Sequence, residues 1–593
     1  MKKINSTKKV EDVDAIILHE EKRIHVDEEA KFREIYSRRA KVFTQRGIRS
    51  FCDLRIPFNS EYQDFHVLRA FTLTSKGTRI DVPEKAINIV SSPHYSPRCS
   101  GIRDSAVSFL GLDKGSEIEF EVEVADRRPW RSYIDGVEIM ESEFPMKRKD
   151  LKIEIPPRMM VVSRFSDRVK ERESIDGENR VYTWSITEIG GRTVEPNGFS
   201  LDKNGERVVY AVGKDSSVVL DDFREKTERR IKDELKVRSV LGLIEVLDSS
   251  AGPLEKISKI RKFVKEGMRQ VGTNSGLIGY ELRDVNEILQ SRYGTKAEIA
   301  LCVAALARRA GFKASVHPCG KGIIFEVPAL SQFDEYIVQL NKDGFSLLVD
   351  SSGDICGLEK MTGAGLTAAW WNEKEYFRKI EPLRSEIKAS LKLKIDDAEN
   401  VEGQGSILFS GILNPFYTLS EGGDKTKEEM QGWLKKIFEE PEVKSSSFSS
   451  LSPAFSSSNV EFNVKNGIKK DGTRLFLTLM KNLIVSKGFE IPLDLNMRKS
   501  SLEFPYPFSE SIEVTIVLGK GFSVNYLPKG INVDNEEFSI RLSSQAKDDE
   551  VKIERRLDVK STSVSSEMYP EFRKSITTLL SDPYTLIVLE HLS

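Results

Sequence analysis

The sequence predicts a multidomain α+β protein in which two mostly-β domains flank a central domain of mixed helices and strands. Alternating apolar and acidic residues, as in residues 117–124, are typical of a half-buried strand, and similar runs occur towards both ends of the chain. Helical spacing of apolar residues instead begins near residue 221. A chain of 593 residues is long enough for several domains. We therefore expect domains at 1–220, 221–378 and 379–593.

The first domain, residues 1–220, is predicted to be β-sandwich-like. Residues 150–155 repeat the apolar and polar alternation and stop at Pro156, which cannot continue a central strand. The glycines at 77 and 177 lie in short polar segments that fit hairpin turns. Short strands at regular spacing are typical of a sandwich.

The central domain is predicted to begin with helices and to end with strands. Helical patterns cover residues 221–236 and 252–271, and Pro253 suits a first helical turn. Four short strands are expected after the last helix of this domain, near residues 313–318, 322–327, 336–340 and 345–350. Helices followed by antiparallel strands favour an α+β arrangement.

Residues 292–311 predict a turn, a helix and a glycine stop. Gly294 and Thr295 supply the turn and an N-cap. The alanine-rich residues 297–309 are strong helix formers, and Gly311 follows the helix, where a terminating glycine is favoured.

The last domain, residues 379–593, is predicted to be a second β-sandwich-like unit. Residues 391–395 and 511–518 alternate cleanly, and one helix is expected near residues 425–438. The serine-rich residues 445–458 are low in apolar content and are expected to form a flexible loop or an exposed turn.

Residues 292–311 resemble the nucleophile segment of the transglutaminase-like (papain-like) superfamily, in which Arg-x-Gly-x-Cys and an acidic residue open an alanine-rich helix. In that family a histidine and then an acid follow on later strands, and residues 332–338 and 345–352 resemble those contexts. The first domain is similar to a bacterial domain of unknown function that precedes such cores, and the last is similar to the family's C-terminal β domain. The resemblance implies a papain-like α+β core over 221–378.

The resemblance aligns Lys296, Glu335 and Asp350 with the catalytic cysteine, histidine and acid. A working pair is a thiolate beside an imidazolium, whereas this pair is an ammonium beside a carboxylate. Lysine cannot form a thioester, and glutamate cannot relay protons near neutral pH as imidazole does. We therefore expect no intact catalytic residue, and a structural ion pair between Lys296 and Glu335. If both were buried, losing one partner would cost roughly 3–5 kcal/mol.

Other nucleophiles are poorly supported by the sequence. Cys302 lies well inside the predicted helix and fits core packing better than catalysis. Cys319 lies on a strand-like run after His317 and Pro318, and we expect a surface or edge-strand position for it rather than a metal-binding role. Ser291, Thr295 and Ser331 lie near the predicted cleft, but no histidine follows in a position to activate them. A Schiff-base role for the lysine is disfavoured because its expected carboxylate neighbours stabilise the charged ammonium.

Composition and motifs limit the kinds of partner and cofactor that we expect for this chain. The formal net charge is −2, with 90 basic and 92 acidic residues, so no overall field favours nucleic acid. The sequence has no zinc-binding cysteine pairs, no phosphate-binding loop and no dinucleotide fingerprint, and we expect no cofactor and no metal. It also lacks an apolar stretch long enough to span a membrane.

The start of the chain bears on its compartment. Residues 1–9 are basic, but no apolar segment follows, so the chain as it stands is expected to be cytoplasmic. Removal of a signal peptide would instead make it periplasmic or extracellular. The sequence does not define an oligomeric state.

Three functions are compatible with these features. The favoured one is a catalytically inactive transglutaminase-like protein that binds or scaffolds peptides or proteins, by analogy with a fold whose cleft holds extended chains. The second is an active hydrolase or acyltransferase with a different nucleophile. The third is a carbohydrate-binding surface protein, which would require exposed, coplanar aromatic side chains.

Overall fold

The computed structural model describes most of the chain, in ranges separated by short gaps. The described residues are 13–91, 101–215, 218–231, 235, 237, 240–249, 252–272, 275–350, 355–357, 366–372, 375–380, 384–396, 400–414, 424–451, 455–465, 467–487 and 490–591.

The expected α+β fold class is wrong, because the protein is mostly β. Among the described residues, 48% lie in strands and 21% in helices, and no clear papain-like α+β core stands out. The helices of the central region share their apolar core with strands of the N-terminal region. They pack in one apolar cluster with Tyr133, Val209 and Ala211, which belong to the region expected as the first domain. Helical spacing in the sequence therefore identified helices but overestimated their share of the fold.

The N-terminal region consists of strands with two short helices. Its elements are β1 (Ala15–Val26), β2 (Phe32–Val42), α1 (Gln45–Phe51), β3 (Asp53–Asn59), β4 (Gln63–Leu73), β5 (Arg79–Asp81), β6 (Ile87–Ser91), β7 (Ile102–Ser108), β8 (Glu117–Asp126), β9 (Ile134–Ile139), β10 (Met146–Ile155), β11 (Met160–Phe165), β12 (Lys170–Asp176), β13 (Asn179–Ile189), α2 (Leu201–Asn204) and β14 (Arg207–Gly213).

One large sheet dominates this region. Its strand order is β12-β13-β10-β1-β2-β8-β4-β5, in which β1 and β10 run parallel and the other neighbours are antiparallel. Strand β8 alternates between buried and half-buried residues along its length, as its sequence predicts. Two three-stranded sheets, β3-β7-β6 and β11-β14-β9, complete the region.

The central region places helices against one antiparallel sheet. Its elements are α3 (Val218–Arg230), α4 (Leu241–Asp248), α5 (Pro253–Gly267), β15 (Arg269–Gln270), α6 (Val285–Ser291), β16 (Tyr293–Gly294), α7 (Lys296–Arg309), β17 (Lys313–Lys321), β18 (Glu335–Lys342), β19 (Phe345–Asp350), β20 (Ile355–Gly357), β21 (Leu366–Asn372) and β22 (Glu375–Ile380). The sheet order is β20-β19-β18-β17-β21-β22, and β15 pairs with β16.

Helix α7 is the centre of this region. Ala297 to Ala307 are all buried, so every side of the helix contacts protein. Residues 322–327, expected as a strand, are not one. Gly322 has a left-handed φ of 87°, and Ile323 N donates to the Lys203 carbonyl at 2.8 Å, which ties this segment to the N-terminal region.

The C-terminal region is again mostly strands. Its elements are β23 (Ser385–Ile395), β24 (Val401–Ser410), α8 (Asp424–Leu434), β25 (Pro441–Leu451), β26 (Phe455–Val464), β27 (Ile468–Asp471), β28 (Arg474–Thr478), β29 (Leu502–Glu503), β30 (Phe508–Leu518), β31 (Phe522–Tyr526), β32 (Ile531–Asp534), β33 (Phe538–Lys547), β34 (Glu550–Val559), β35 (Ser563–Val564), α9 (Tyr569–Leu579), α10 (Asp582–Thr585) and β36 (Leu586–His591).

Its main sheet has the order β25-β26-β24-β23-β30-β34-β33-β32. The expected loop at 445–458 is wrong, because most of this segment belongs to the antiparallel strands β25 and β26. The serines made the sequence look loop-like. In β26, however, buried Ser456, Ser458 and Val460 alternate with residues that are half-buried or exposed, so small polar side chains occupy sheet positions.

The helices show no feature of a membrane span. Among the residues that the structure describes, no helix combines the length and the apolar character needed to cross a bilayer.

A buried ion pair in the C-terminal sheet provides a test of the packing. We expect Glu510→Gln to lower the free energy of unfolding by roughly 3–5 kcal/mol, because it leaves the Arg555 guanidinium buried without its charge partner. The two side chains are 0% and 1% exposed, and their Nη2–Oε1 distance is 2.9 Å. The measurement is urea-induced unfolding followed by circular dichroism.

The matched control is Glu513→Gln on the same strand. Glu513 lies 2.9 Å from Lys552, with both side chains about 40% exposed, so water screens the pair and the loss should be much smaller than for Glu510→Gln. Equal losses in the two variants would contradict the burial of the Glu510 pair.

Candidate functional site

The start of helix α7 is held by a capping box. Thr295 is the N-cap, and its hydroxyl accepts a hydrogen bond from Glu298 N at 3.2 Å. The Glu298 carboxylate accepts one in return from Thr295 N at 3.1 Å. Just before it, Arg292 ends α6 in the left-handed conformation with a φ of 58°. These contacts turn the chain sharply and make Lys296 the first residue of α7.

The carboxylate of Glu298 is also half of a buried ion pair. Its side chain is 0% exposed and receives Arg283 Nη2 at 2.9 Å and Arg283 Nε at 3.0 Å. Burial acts to raise the pKa of Glu298, but the hydrogen bonds and charge of Arg283, with two backbone N–H groups, lower it below its ordinary value. Arg283 also donates to the Tyr293 carbonyl at 2.7 Å, so the pair connects the segments before and after α6.

Lys296 contacts Glu335 at the start of β18. Lys296 Nζ lies 2.5 Å from Glu335 Oε1 and donates to the Asp334 carbonyl at 3.0 Å. The two side chains are 32% and 36% exposed, so the pair is only partly removed from water. A cation at a helix N-terminus is opposed by the helix dipole, and the carboxylate of Glu335 offsets this repulsion.

Asp350 lies one strand further along the same sheet. In the register of β17, β18 and β19, Cys319 is opposite Glu335, and Ile337 is opposite Asp350. Residues directly opposite share a face, so Glu335 and Asp350 occupy the same face. Burial, followed by the charges of Glu335, Asp334 and Asp350, raises the pKa of the Cys319 thiol well above its usual range, and Lys296 opposes this effect. The charges at the three positions aligned by the family resemblance therefore all act on one buried thiol.

The candidate nucleophiles near this site are buried or hydrogen-bonded to the scaffold. Burial raises the pKa of Cys302 as well, so neither thiol is a thiolate at neutral pH. Burial lowers the pKa of His317 to about 4, and this ring contacts Ser315 Oγ at 2.8 Å and the Ala369 carbonyl at 3.2 Å. Ser291 accepts from Arg283 Nη1 at 3.1 Å and so belongs to the scaffold of the α7 start.

A cavity of about 860 Å³ lies beside the start of α7. The central region contributes Lys296, Asp334 and Tyr336 to its wall. The opposite wall comes from β1, β2, β3 and β9 of the N-terminal region and from Trp130 and Arg131, which precede β9. A space of this size between two regions of a chain is typical of a ligand pocket.

Asp135 joins the two walls. Its carboxylate accepts hydrogen bonds from Ser331 N at 2.7 Å and from the Tyr280 hydroxyl at 3.1 Å, both from the central region. Burial raises the pKa of Asp135, and these two partners act against that rise. Asn59 adds a second link by donating to the Leu277 carbonyl at 2.8 Å.

A buried ion network forms another part of the cavity wall. Lys149 Nζ lies 2.7 Å from Glu20 and 2.5 Å from Glu138, and Lys22 Nζ lies 3.0 Å from Glu138. Arg38 contacts Glu20 at 2.6 Å. Burial acts to raise the pKa of Glu20, but the charges of Lys149 and Arg38 prevail and lower it to about 2. The network therefore leaves its carboxylates neutralised by protein.

Sequence reasoning missed several of these residues. Arg283, Asp135 and Arg131 have no motif of their own, and each acts with partners that are distant in sequence. Glu298 was recognisable, because Thr-x-x-Glu before an apolar run is the sequence pattern of a capping box. Among the described residues, no group of three or more histidine, cysteine, aspartate or glutamate side chains is arranged to hold a metal ion.

Comparison with known families defines the class of the chain. Residues 29–191 match the domain of unknown function DUF3857, and residues 474–589 match the domain of unknown function DUF3858. The chain is thus a β-rich multidomain protein that carries these two domains. The first match agrees with the expected N-terminal domain of unknown function.

A solved structure resembles nearly the whole chain. It is described as a candidate protease from Parabacteroides distasonis ATCC 8503, with a TM-score of 0.65 and 14% sequence identity over 97% of this chain and 99% of that chain. At this identity the likeness concerns the fold alone. An M1 zinc metallopeptidase from Deinococcus radiodurans matches 34% of this chain and 42% of its own at 10% identity, and its TM-score of 0.19 supports no conclusion. No curated protein matches the sequence.

The two ion pairs of α7 should differ strongly in their contribution to stability. Glu298→Gln is expected to lower the free energy of unfolding by roughly 1.5–3 kcal/mol, because the largely covered Arg283 guanidinium, whose side chain is 13% exposed, would lose its carboxylate partner. Glu335→Gln should change it by less than about 1 kcal/mol, because Lys296 remains partly hydrated. Chemical unfolding of both variants measures the difference. A loss at Glu335 as large as that at Glu298 would mean that the Lys296 pair is shielded from water.

The buried network predicts a pH dependence. Folding lowers the pKa of Glu20 from 4.5 to about 2, so its carboxylate adds stability that is complete above the unfolded value and is lost as the pH falls towards 2. We expect the stability gap between wild type and Glu20→Gln to narrow by on the order of 3 kcal/mol across that window. Urea unfolding at neutral pH and at two acidic pH values measures the gap. Glu28→Gln, at an exposed position, is the control, and a Glu20 gap independent of pH contradicts the assignment.

Proposed function

We propose that the chain is a catalytically inactive transglutaminase-like protein that binds peptide or protein segments in the cavity beside α7. The observation that carries this proposal is the contact between Lys296 and Glu335, which the family resemblance aligns with the nucleophile and the base. An ammonium held by a carboxylate and by the Asp334 carbonyl can neither attack a carbonyl carbon nor relay a proton.

The thiols support the same conclusion. Cys302 and Cys319 are both 0% exposed, and burial favours their neutral form. A nucleophilic cysteine needs the opposite environment, with partial exposure and neighbouring positive charge.

The shape and chemistry of the cavity favour a peptide over a sugar. Its wall combines apolar side chains with dispersed polar groups from two regions of the chain. Sugar binding usually relies on exposed aromatic faces, and within the described ranges Phe455 is the exposed large aromatic side chain. It lies on β26 of the C-terminal region and does not line this cavity.

The apolar clusters support the domain boundaries that we propose, at 1–220, 221–378 and 379–593. One cluster extends from Ala15 to Val212, and another from Ile387 to Leu589. The third is centred on α7 and shares Tyr133, Val209 and Ala211 with strands of the N-terminal region. The first two domains would therefore be coupled, and the cavity lies where they meet.

Peptide binding without turnover is the expected behaviour. Fluorescent pools of random hexapeptides should bind the full chain and be recovered intact, as judged by fluorescence anisotropy and mass spectrometry. Ser331→Trp places a large side chain in the cavity wall and should weaken binding by at least about tenfold. Ser132→Trp, at an exposed position next to the wall, is the matched control and should bind like wild type.

The alternatives give different results. Hydrolysed, deamidated or cross-linked peptides would establish an active enzyme, which the fold likeness to a candidate protease makes the second hypothesis. Failure of every pool to bind would reject peptide recognition in this cavity.

A further inference from the structure

We propose that Arg131 is a carboxylate-binding residue and that the peptide recognised by the cavity presents a carboxylate group to it. This inference rests on the proposed peptide-binding function and specifies the ligand chemistry. It starts from the unusual environment of the Arg131 side chain in the cavity wall.

The guanidinium of Arg131 lies between two aromatic rings. Its Cζ atom is 4.5 Å from the centroid of Phe32 and 4.7 Å from that of Trp130. Stacking on aromatic faces restricts the orientation of the guanidinium while leaving its N–H groups in the ring plane available. The side chain is therefore oriented before any ligand arrives.

The two rings are themselves held by one buried carboxylate. Asp126 Oδ1 accepts from Trp130 Nε1 at 3.1 Å and from Gln63 Nε2 at 3.0 Å, and Asp126 Oδ2 accepts from Phe32 N at 3.1 Å. Trp130 also stacks on Tyr62, with centroids 4.8 Å apart and an interplanar angle of 14°. We call the rings of Phe32 and Trp130 the aromatic clamp, and Asp126 thus acts as its positioning residue.

The donors of Arg131 find no acceptor among the described residues. Within the described part of the chain, the guanidinium makes no ion pair and no hydrogen bond, and its Nε atom is buried without a partner. A buried charged donor without an acceptor is costly, and an acceptor supplied by a ligand would remove that cost.

The nearest acids do not fill this role. Asp126 is engaged by the three donors that hold the clamp, and Asp135 is engaged by Ser331 and Tyr280. Arg131 affects the pKa of Asp135 through its charge without making an ion pair with it. The positive charge of Arg131 therefore faces the cavity.

A carboxylate fits this site better than a phosphate. A carboxylate accepts two parallel hydrogen bonds from a guanidinium and carries a single negative charge. A phosphate group carries nearly two charges and would be repelled more strongly by Asp126 and Asp135. A peptide can supply the carboxylate from its C-terminus or from an acidic side chain.

Three pools of fluorescent hexapeptides separate these sources. The first has free C-termini and no acidic side chains, the second has amidated C-termini and includes aspartate and glutamate, and the third is amidated and free of acidic side chains. We expect the first or second pool, or both, to bind the full-length protein at least about tenfold more tightly than the third. The pool that binds more tightly identifies whether the carboxylate comes from the peptide C-terminus or from an acidic side chain.

Variants of Arg131 link this preference to one side chain. Arg131→Gln should abolish the difference between the pools, and Arg131→Lys should retain only part of it, because lysine keeps the charge but lacks the planar pair of donors. Arg128→Gln is the matched control. Arg128 is exposed, stacks on Tyr62 at 5.3 Å and does not line the cavity, so its loss should leave the preference unchanged.

The outcomes separate this inference from the proposed function. Equal binding of all three pools, or a carboxylate preference that persists in Arg131→Gln, overturns the role of Arg131 and leaves peptide binding standing. No binding of any pool to the wild-type chain overturns both proposals. If a lower melting temperature shows that Arg131→Gln is misfolded, the comparison of the pools on wild type and on Arg131→Lys still decides whether Arg131 causes the carboxylate preference.

Discussion

The arrangement at the start of α7 depends on the buried carboxylate of Glu298. It completes the capping box with Thr295 and pairs with Arg283, so a single side chain connects the helix to the segment before α6. Without it, the largely covered guanidinium of Arg283 would lose its charge partner and the first turn of α7 would lose a cap. The position of Lys296, and therefore its contact with Glu335, follows from this internal support.

The cavity depends on two further carboxylates, those of Asp126 and Asp135. Asp126 holds the two rings around Arg131, and Asp135 links the N-terminal wall to Ser331 and Tyr280 of the central region. Each carboxylate accepts hydrogen bonds from several protein donors in place of water, and this is the condition under which a carboxylate is tolerated inside a protein. The walls of the cavity are therefore pre-organised by polar contacts as well as by apolar packing, and a ligand would meet a surface that needs little rearrangement.

Local features of the fold could be predicted from the sequence. The shares of helix and strand, and the way in which helices pack against distant strands, could not. Thr295 and Glu298 specify a helix start within four residues, and Gly311 follows the helix with a left-handed φ of 84°. The acidic alternation of β8 likewise gave the correct buried face. The fold class failed because it depends on how helices pack against distant strands, as when Tyr133 and Val209 join the cluster around α7.

For the candidate site, too, residues in short sequence patterns could be predicted, whereas contacts between distant residues could not. The resemblance pointed to Lys296, Glu335 and Asp350 because each lies in a short recognisable context, and whether they define a former catalytic site remains a prediction. Arg131 has no such context. Its importance comes from what surrounds it: two rings fixed by Asp126, and an absence of acceptors that becomes visible only when the described residues are seen in three dimensions.

Two of the cations in the cavity wall, Lys296 and Arg131, differ in a way that bears on function. Lys296 is neutralised by Glu335 and an adjacent carbonyl, so the protein itself satisfies the group at the helix start. Arg131 is oriented but left without an acceptor, so its interaction energy is available to a ligand. A site evolving for catalysis would concentrate uncompensated charge where bonds are made. Here a compensated charge lies at the helix start and an uncompensated charge lies at the opposite wall, and this difference is the basis of the proposed recognition of a carboxylate by Arg131.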